Sequence, residues 1–127
     1  MVTAGAKTIL IVDDTVDTAD LFAACIELTG YKAVIAYDGS DAVEQALRYK
    51  PDLILMDLRM PTVDGYEATR RILAIPGLSE TPIVAVTAHT EGEWRRRALA
   101  VGCVACISKP LSPEQLNRIV ERYAGGR

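Results

Sequence analysis

Five short apolar runs recur along the chain, separated by longer stretches that mix polar, charged and apolar residues. The runs are Thr8–Val12, Ala33–Ala36, Leu53–Met56, Ile83–Val86 and Cys103–Ile107. Their hydrophobicity is continuous rather than alternating, which is typical of strands covered by other elements on both faces. The pattern therefore predicts five buried strands in a parallel sheet.

The stretches between the apolar runs carry helical spacing. Leu21, Cys25 and Leu28 recur at i, i+4 and i+7, which predicts the buried face of a first helix. Gly30 is placed to end that helix in a left-handed conformation. Further helices are expected near residues 41–49 and 93–101.

Two capping patterns predict where later helices begin. Asp64 is followed by Glu67 and Ser112 by Gln115, so both pairs indicate helix starts with reciprocal capping. Pro113 would occupy the favoured first position of the last helix, whose apolar stripe is Leu116, Ile119, Val120 and Tyr123. Strands that alternate with helices predict a single α/β domain of the doubly wound (βα)5 type.

Length, composition and charge narrow the class of protein. At 127 residues the chain has the size of one domain, expected at residues 7–124 with loose ends at 1–6 and 125–127. An apolar fraction of 50% excludes a disordered chain. A formal net charge of −3 gives no reason to bind nucleic acid or an anionic membrane non-specifically. Because we find neither a signal peptide nor an apolar run of ~20 residues, we expect a soluble, cytoplasmic protein.

The three cysteines, Cys25, Cys103 and Cys106, include one C-x-x-C pair. A zinc site is disfavoured because there is no second pair and His89 is the only histidine. A disulfide is disfavoured because residues 103–107 are expected to form a strand, where positions three apart lie on opposite faces and ~10 Å apart. We therefore expect these cysteines to be small buried hydrophobic residues.

Polar residues whose side chains can bind ligands or take part in catalysis follow four of the predicted strands. Asp13 and Asp14 follow the first strand, Asp57 the third, Thr87 the fourth and Lys109 the fifth. In doubly wound folds, ligands bind beyond the carboxyl ends of the strands. We therefore expect these side chains to converge on one rim of the sheet.

The charges of this group favour a divalent metal. Three carboxylates and one ammonium leave a formal net charge of −2, which one divalent cation cancels, and carboxylate oxygens suit Mg²⁺. A cation, a lysine and a hydroxyl around an aspartate equip a site for phosphoryl transfer. The alternative is that the aspartates only cap helices or lie in loops, since Asp is common before helices.

Four segments of the chain together resemble a known family. They are Ile11–Asp14, Leu53–Pro61 with Asp64–Gly65, Val86–Ala88 and Ser108–Pro110. In this order and spacing they are similar to the response-regulator receiver domain of two-component signalling, the CheY-like fold, over about residues 7–124. The resemblance implies a phosphorylatable switch on a three-layer sandwich, with a five-stranded parallel sheet in the flavodoxin-like order 2-1-3-4-5.

The resemblance also implies roles around the third strand. Asp57 would accept a phosphoryl group from a phosphohistidine donor, either a histidine kinase or a histidine phosphotransfer protein. Mg²⁺ would be bound by Asp14, by Asp57, by the backbone carbonyl of Arg59, and by Asp13 mainly through a metal-bound water. The domain would assist its own phosphorylation and dephosphorylation without being an enzyme.

On the fourth and fifth strands, the resemblance implies groups that respond to the phosphoryl group. Lys109 would pair with Asp57 and then with the phosphoryl group. Thr87 would move to hydrogen-bond a phosphoryl oxygen, close to the backbone N–H of Ala88.

The sequence departs from the family pattern at Cys106, where receivers usually carry an aromatic residue. A thiol is too small to act as that ring does, so we expect the loop after Thr87 to change more on phosphorylation than the fifth strand. Arg59 and His89 occupy the positions that tune the lifetime of the phosphate in the family.

Other classes of protein fit the residues less well. A Mg²⁺-dependent phosphohydrolase of the haloacid-dehalogenase type would carry a second carboxylate two residues after Asp57, where this chain has Arg59. A pseudo-receiver, a pure interaction module, would be expected to lack Asp57, Lys109 or the acidic pair Asp13 and Asp14, and all are present. A dinucleotide-binding domain is excluded because no G-x-G-x-x-G follows the first strand.

The expected output is a contact with a downstream protein. The face formed by helix 4, strand 5 and helix 5 is the candidate surface; its basic residues are Arg95, Arg96, Arg97, Arg118 and Arg122, with Trp94 as an aromatic anchor. The alternative for this face is an ordinary solvated helix surface. We expect no nucleic-acid or membrane partner, and a free-standing regulator rather than a receiver cut from a hybrid kinase.

Overall fold

The computed structural model describes residues 5–60, 62–88 and 92–125. Within those ranges, strands and helices alternate from one end of the chain to the other. The strands are β1 Thr8–Val12, β2 Lys32–Ala36, β3 Leu53–Met56, β4 Ile83–Thr87 and β5 Ala105–Ser108. The helices are α1 Val16–Leu28, α2 Gly39–Tyr49, α3 Gly65–Leu73, α4 Gly92–Ala100 and α5 Pro113–Tyr123. Among these helices, none is long and apolar enough to cross a bilayer.

The strands form one parallel sheet in the order β2-β1-β3-β4-β5, which confirms the predicted fold class. Two buried clusters lie on its two faces. One is shared by the sheet with α2, α3 and α4, and the other by the sheet with α1 and α5. Every residue of β3 and β4 is buried, because both faces of these central strands are covered.

The predicted buried face of α1 is wrong. Leu21 and Leu28 are 57% and 82% exposed, whereas Ala19, Phe22 and Ile26 are buried. The helix carries apolar residues on more than one side, so its sequence offers two competing stripes. In the folded domain, the stripe with Ala19 is the one that packs against the sheet and α5. The small side chain of Ala19 lets α1 lie close to these elements.

The predicted starts of α3 and α5 are confirmed, but only α5 has the reciprocal cap. Ser112 Oγ accepts from the Gln115 N–H at 3.1 Å, and Gln115 Oε1 accepts from the Ser112 N–H at 2.9 Å. Asp64 accepts from the Glu67 N–H at 2.9 Å. The Glu67 carboxylate, however, bonds Arg70 and Arg71 later in the helix, so the reciprocal half predicted for α3 is wrong.

The strand predicted at residues 103–107 begins two residues later, at Ala105. The Cys103 N–H still belongs to the end of α4, since it donates to the Ala98 carbonyl at 3.0 Å after a turn in which Gly102 has a φ of +117°. Cys103 and Cys106 therefore share one cluster rather than opposite faces, and the geometric reason given against a disulfide is wrong. The expectation of buried hydrophobic cysteines is confirmed for both, which are free and 4% and 3% exposed, but it is wrong for Cys25, which is only half-buried.

Candidate functional site

The register of the sheet brings the predicted polar residues to one rim. The hydrogen-bonded ladder continues one residue beyond the strands: the Asp13 N–H donates to Ala36, the Asp57 N–H to Val12 and the Lys109 N–H to Thr87, at 2.8 to 3.1 Å. The backbone of the first residue after three different strands is therefore held by a neighbouring strand. Because all strands are parallel, their polar side chains meet at the same edge.

Three carboxylates form the centre of this rim. Oxygen atoms of Asp13, Asp14 and Asp57 lie within 4.8 Å of one another. Asp13 and Asp57 are 2% and 7% exposed, while Asp14 is open to solvent. Like charges this close repel one another unless a cation joins them, and hard oxygen donors are the ligands that Mg²⁺ prefers. The donor set therefore fits a divalent cation that is reached from the exposed Asp14 side.

Backbone hydrogen bonds orient the two buried carboxylates. The Thr15 N–H donates to Asp13 Oδ1 at 2.8 Å, and the Arg59 N–H donates to Asp57 Oδ1 at 3.1 Å. In both residues, the other oxygen, Oδ2, faces the ammonium group of Lys109. Each of the two carboxylates is thus held by a backbone N–H two residues further along the chain, and both interact with the same lysine, Lys109.

Lys109 lies nearer to Asp13 than to its expected partner. Its Nζ is 2.9 Å from Asp13 Oδ2 and 3.5 Å from Asp57 Oδ2. Burial by itself lowers the pKa of Lys109, but the hydrogen bond that its ammonium donates to Asp13 and the charges of Asp57 and Asp13 outweigh burial and raise the pKa above its usual value. Lys109 therefore stays charged and neutralises part of the cluster.

Asp57 is held in an unfavourable environment for its negative charge. Burial raises its pKa, and the nearby charges of Asp13 and Asp14 raise it further. The Arg59 N–H and the Lys109 ammonium lower it without cancelling the effect of burial. A buried carboxylate with an elevated pKa at the end of a strand is typical of a functional group rather than of a stabilising one.

The start of α3 is packed directly against Asp57. The Gly65 N–H donates to the Leu58 carbonyl at 3.1 Å. A Cβ added to Gly65 would collide with the Asp57 carbonyl oxygen and would lie 2.6 Å from the Leu58 Cα. Glycine is needed here for the close approach of two backbones, so the start of α3 is packed tightly against Asp57 and Leu58.

The other expected site residues lie around this centre. Thr87 is 1% exposed at the end of β4, Ala88 follows it on the surface, and the Arg59 side chain is exposed. Cys106 pairs with Ala85 in the sheet and is 3% exposed. The residues 89–91, with His89 and most of the loop expected to change, lie outside the described residues.

Sequence reasoning missed a cluster at the interface of α3 and α4. The centroids of the Tyr66 and Trp94 rings lie 6.5 Å apart at an interplanar angle of 26°. The Arg97 guanidinium lies 3.9 Å from the centroid of the Tyr66 ring. We call these three residues the aromatic clasp. The signal available in the sequence was that Tyr66 directly follows Gly65, a residue of the motif after β3, and therefore lies close to the site.

Two of the predicted basic residues of α4 are engaged inside the domain. Arg95 donates to the Cys106 carbonyl at 3.0 Å, and Arg97 stacks on Tyr66. Arg96, together with Arg118 and Arg122 of α5, remains exposed. The basic surface is therefore smaller than the sequence suggested.

Comparison with known proteins gives a family match across most of the chain. A family profile described as "Response regulator receiver domain" matches residues 9–121. The chain is 35% identical over 119 residues to the polar-differentiation response regulator DivK of Brucella anthropi, covering 94% of this chain and 97% of that protein.

Solved structures show the same similarity. The receiver domain of the sensor histidine kinase PA1611 from Pseudomonas aeruginosa, determined with magnesium in its active-site cleft, has a TM-score of 0.87 and 35% identity, covering 96% of this chain and all of that one (100%). The chemotaxis protein CheY4 of Vibrio cholerae has a TM-score of 0.90 and 28% identity, covering 94% and 99% of the two chains.

Proposed function

The chain belongs to the response regulator receiver domains, and from that premise we propose that Asp57 is its phosphoacceptor and that Asp13, Asp14 and Asp57 hold Mg²⁺. The observation that carries the proposal is the meeting of three carboxylates and one lysine at the strand ends, with two of the carboxylates buried. That arrangement has no structural advantage, because the repulsion and the burial both cost stability.

At the level of the family, the chain is a phosphorylatable switch of two-component signalling. Receiver domains act as signalling switches rather than as conventional enzymes. The phosphohydrolase alternative is therefore not favoured. Receivers of this kind obtain their phosphoryl group from a histidine kinase or a histidine phosphotransfer protein.

In the proposed reaction, an oxygen of Asp57 attacks the phosphorus of a phosphohistidine. The new P–O bond forms as the P–N bond breaks, and the electron pair of that bond remains on the imidazole nitrogen. Mg²⁺, when bound, neutralises charge on the phosphoryl oxygens. The Arg59 N–H holds Asp57 Oδ1 in position, which favours attack by Oδ2, the oxygen that faces Lys109.

Lys109 and Thr87 are the proposed ligands of the transferred group. The Lys109 ammonium already lies 3.5 Å from Asp57 Oδ2, so it can follow the phosphoryl oxygens without a change of backbone. Thr87, buried at the next strand end, supplies a hydroxyl donor, and the Ala88 N–H would join it. We further propose that the domain assists its own phosphorylation and dephosphorylation, with Arg59 exposed at the rim to tune the lifetime of the phosphate.

The downstream partner is proposed to be a protein that docks on α4, β5 and α5. Arg96, Arg118 and Arg122 supply exposed positive charge on that side. The cytoplasmic location and the free-standing form expected from the sequence stay predictions.

Labelling of Asp57 tests the proposal directly. The parent, incubated with acetyl phosphate and Mg²⁺, should bind one phosphoryl group, detected by intact-protein mass spectrometry, and should lose this labelling in excess chelator. Asp57→Asn keeps the shape and removes the nucleophile, so it should not be labelled. The matched control is Asp52→Asn, at the opposite end of β3, which should be labelled like the parent. Equal labelling of Asp57→Asn would overturn the assignment.

A further inference from the structure

Helix α4 is held to the domain by unusually little buried apolar surface. Among its residues, all of which the structure describes, Ala98 is the buried one, whereas α3 buries Gly65, Tyr66, Ala68, Thr69 and Ile72. Trp94 and Leu99 remain 36% and 43% exposed. Since apolar burial is the main term that fixes a helix on a sheet, α4 depends on its few specific contacts for its position.

Two of those contacts converge on Tyr66, and another is the hydrogen bond that Arg95 donates to the Cys106 carbonyl of β5. The Tyr66 side chain is 3% exposed, and its hydroxyl is buried with no hydrogen-bond partner among the described residues. Trp94 and Arg97 lie against its ring, one as an aromatic pair and the other as a cation over the π face. The ring, rather than the hydroxyl, is therefore what binds α3 to α4.

Tyr66 is also coupled rigidly to the phosphoacceptor. Its neighbour Gly65 packs against the Asp57 carbonyl and donates its N–H to the Leu58 carbonyl, so a shift of the backbone at Asp57 and Leu58 is passed directly to the start of α3. An open cleft of about 410 Å³, lined by Met60, Asp64 and the aromatic clasp among others, lies beside α4. The helix has room to follow the ring.

We propose that Tyr66 is a positioning residue that couples the state of Asp57 to the position of α4 through the aromatic clasp. The inference rests on the proposed function, since it requires phosphorylation of Asp57. A phosphoryl group on Asp57 displaces the start of α3, the Tyr66 ring moves with it, and Trp94 and Arg97 carry α4 to a second position.

Trp94 gives a direct readout because it is the only tryptophan of the chain. In the parent, phosphorylation by acetyl phosphate and Mg²⁺ should change Trp94 emission and the rate of amide hydrogen exchange in α4. Tyr66→Leu should be phosphorylated to the same extent, but should lose the phosphorylation-dependent change in α4 exchange. Tyr66→Phe should keep both changes, because the ring contacts remain and the hydroxyl has no hydrogen-bond partner among the described residues.

A second variant keeps the test valid if Tyr66→Leu does not fold. Arg97→Met removes the cation from an exposed position and should reduce the phosphorylation-dependent change in emission. Arg48→Met, which removes an arginine stacked on Tyr49 in α2, is its matched control and should leave that change intact.

Three outcomes would overturn the inference. If Tyr66 has only a structural role, Tyr66→Leu will raise α4 exchange equally in both states and preserve the difference between them. A labelled parent whose α4 does not respond, or an Arg97→Met variant that responds fully, would also contradict it. Failure of the parent to be labelled at Asp57 would instead overturn the proposed function, and this inference with it.

Discussion

Removing the charge of Asp14 should stabilise the protein in the absence of metal. The oxygens of Asp13, Asp14 and Asp57 lie within 4.8 Å of one another, and two unit charges at that distance repel by about 0.9 kcal/mol in water. Asp14→Asn relieves two such interactions. Screening by salt reduces the gain to about 1 kcal/mol.

Thermal unfolding in chelator measures this gain. For a domain of this size, about 1 kcal/mol corresponds to a rise of ~3–5 °C in the melting temperature. Mg²⁺ should reverse the order of the two melting temperatures. At ten times its Kd, Mg²⁺ stabilises the parent by about 1.4 kcal/mol, whereas it should do little for Asp14→Asn, which lacks one of the metal-binding carboxylates. High salt should shrink the difference measured in chelator.

Asp20→Asn is the matched control, since Asp20 is an exposed aspartate of α1 outside the carboxylate cluster. It should change neither the melting temperature in chelator nor the effect of Mg²⁺. A lower melting temperature for Asp14→Asn than for the parent in chelator would refute the repulsion argument. Equal stabilisation of parent and Asp14→Asn by Mg²⁺ would refute the metal site.

Two further predictions follow from close packing. Gly65→Ala should lower the melting temperature and slow labelling of Asp57, because the added methyl collides with backbone that cannot move away, at a cost of ~1–3 kcal/mol; an unchanged melting temperature would contradict the close approach. Burial raises the pKa of the Cys103 thiol to about 11, so at pH ~8 a thiol reagent should modify Cys25 first and reach Cys103 and Cys106 only on unfolding, as peptide mass mapping would show. Rapid modification of Cys103 in the folded protein would contradict its burial.

The sequence by itself determined the fold and the composition of the rim. Continuous apolar runs predicted strands covered on both faces, and alternation with helices predicted a doubly wound parallel sheet. Because parallel strands end at one edge, the residues after each run could be placed together without knowledge of any distance. Asp13, Asp14, Asp57, Thr87 and Lys109 were identified in this way, and local capping patterns likewise located the starts of α3 and α5.

Only the tertiary structure decided which contacts those elements make. Two apolar stripes of α1 satisfied the same periodicity, and packing on the sheet chose Ala19, Phe22 and Ile26 over the stripe with Leu21. Cys103 was assigned to a strand because an apolar run does not show where a helix end turns into a strand.

The same limit applies to the polar contacts. Lys109 lies closer to Asp13 than to Asp57. Tyr66 of α3 contacts Trp94 and Arg97, which belong to α4 and are distant from it in sequence. Periodicity reports the local conformation of the backbone and the side of an element that is apolar. Distances between side chains of different elements depend on how those elements pack, which is a property of the whole domain.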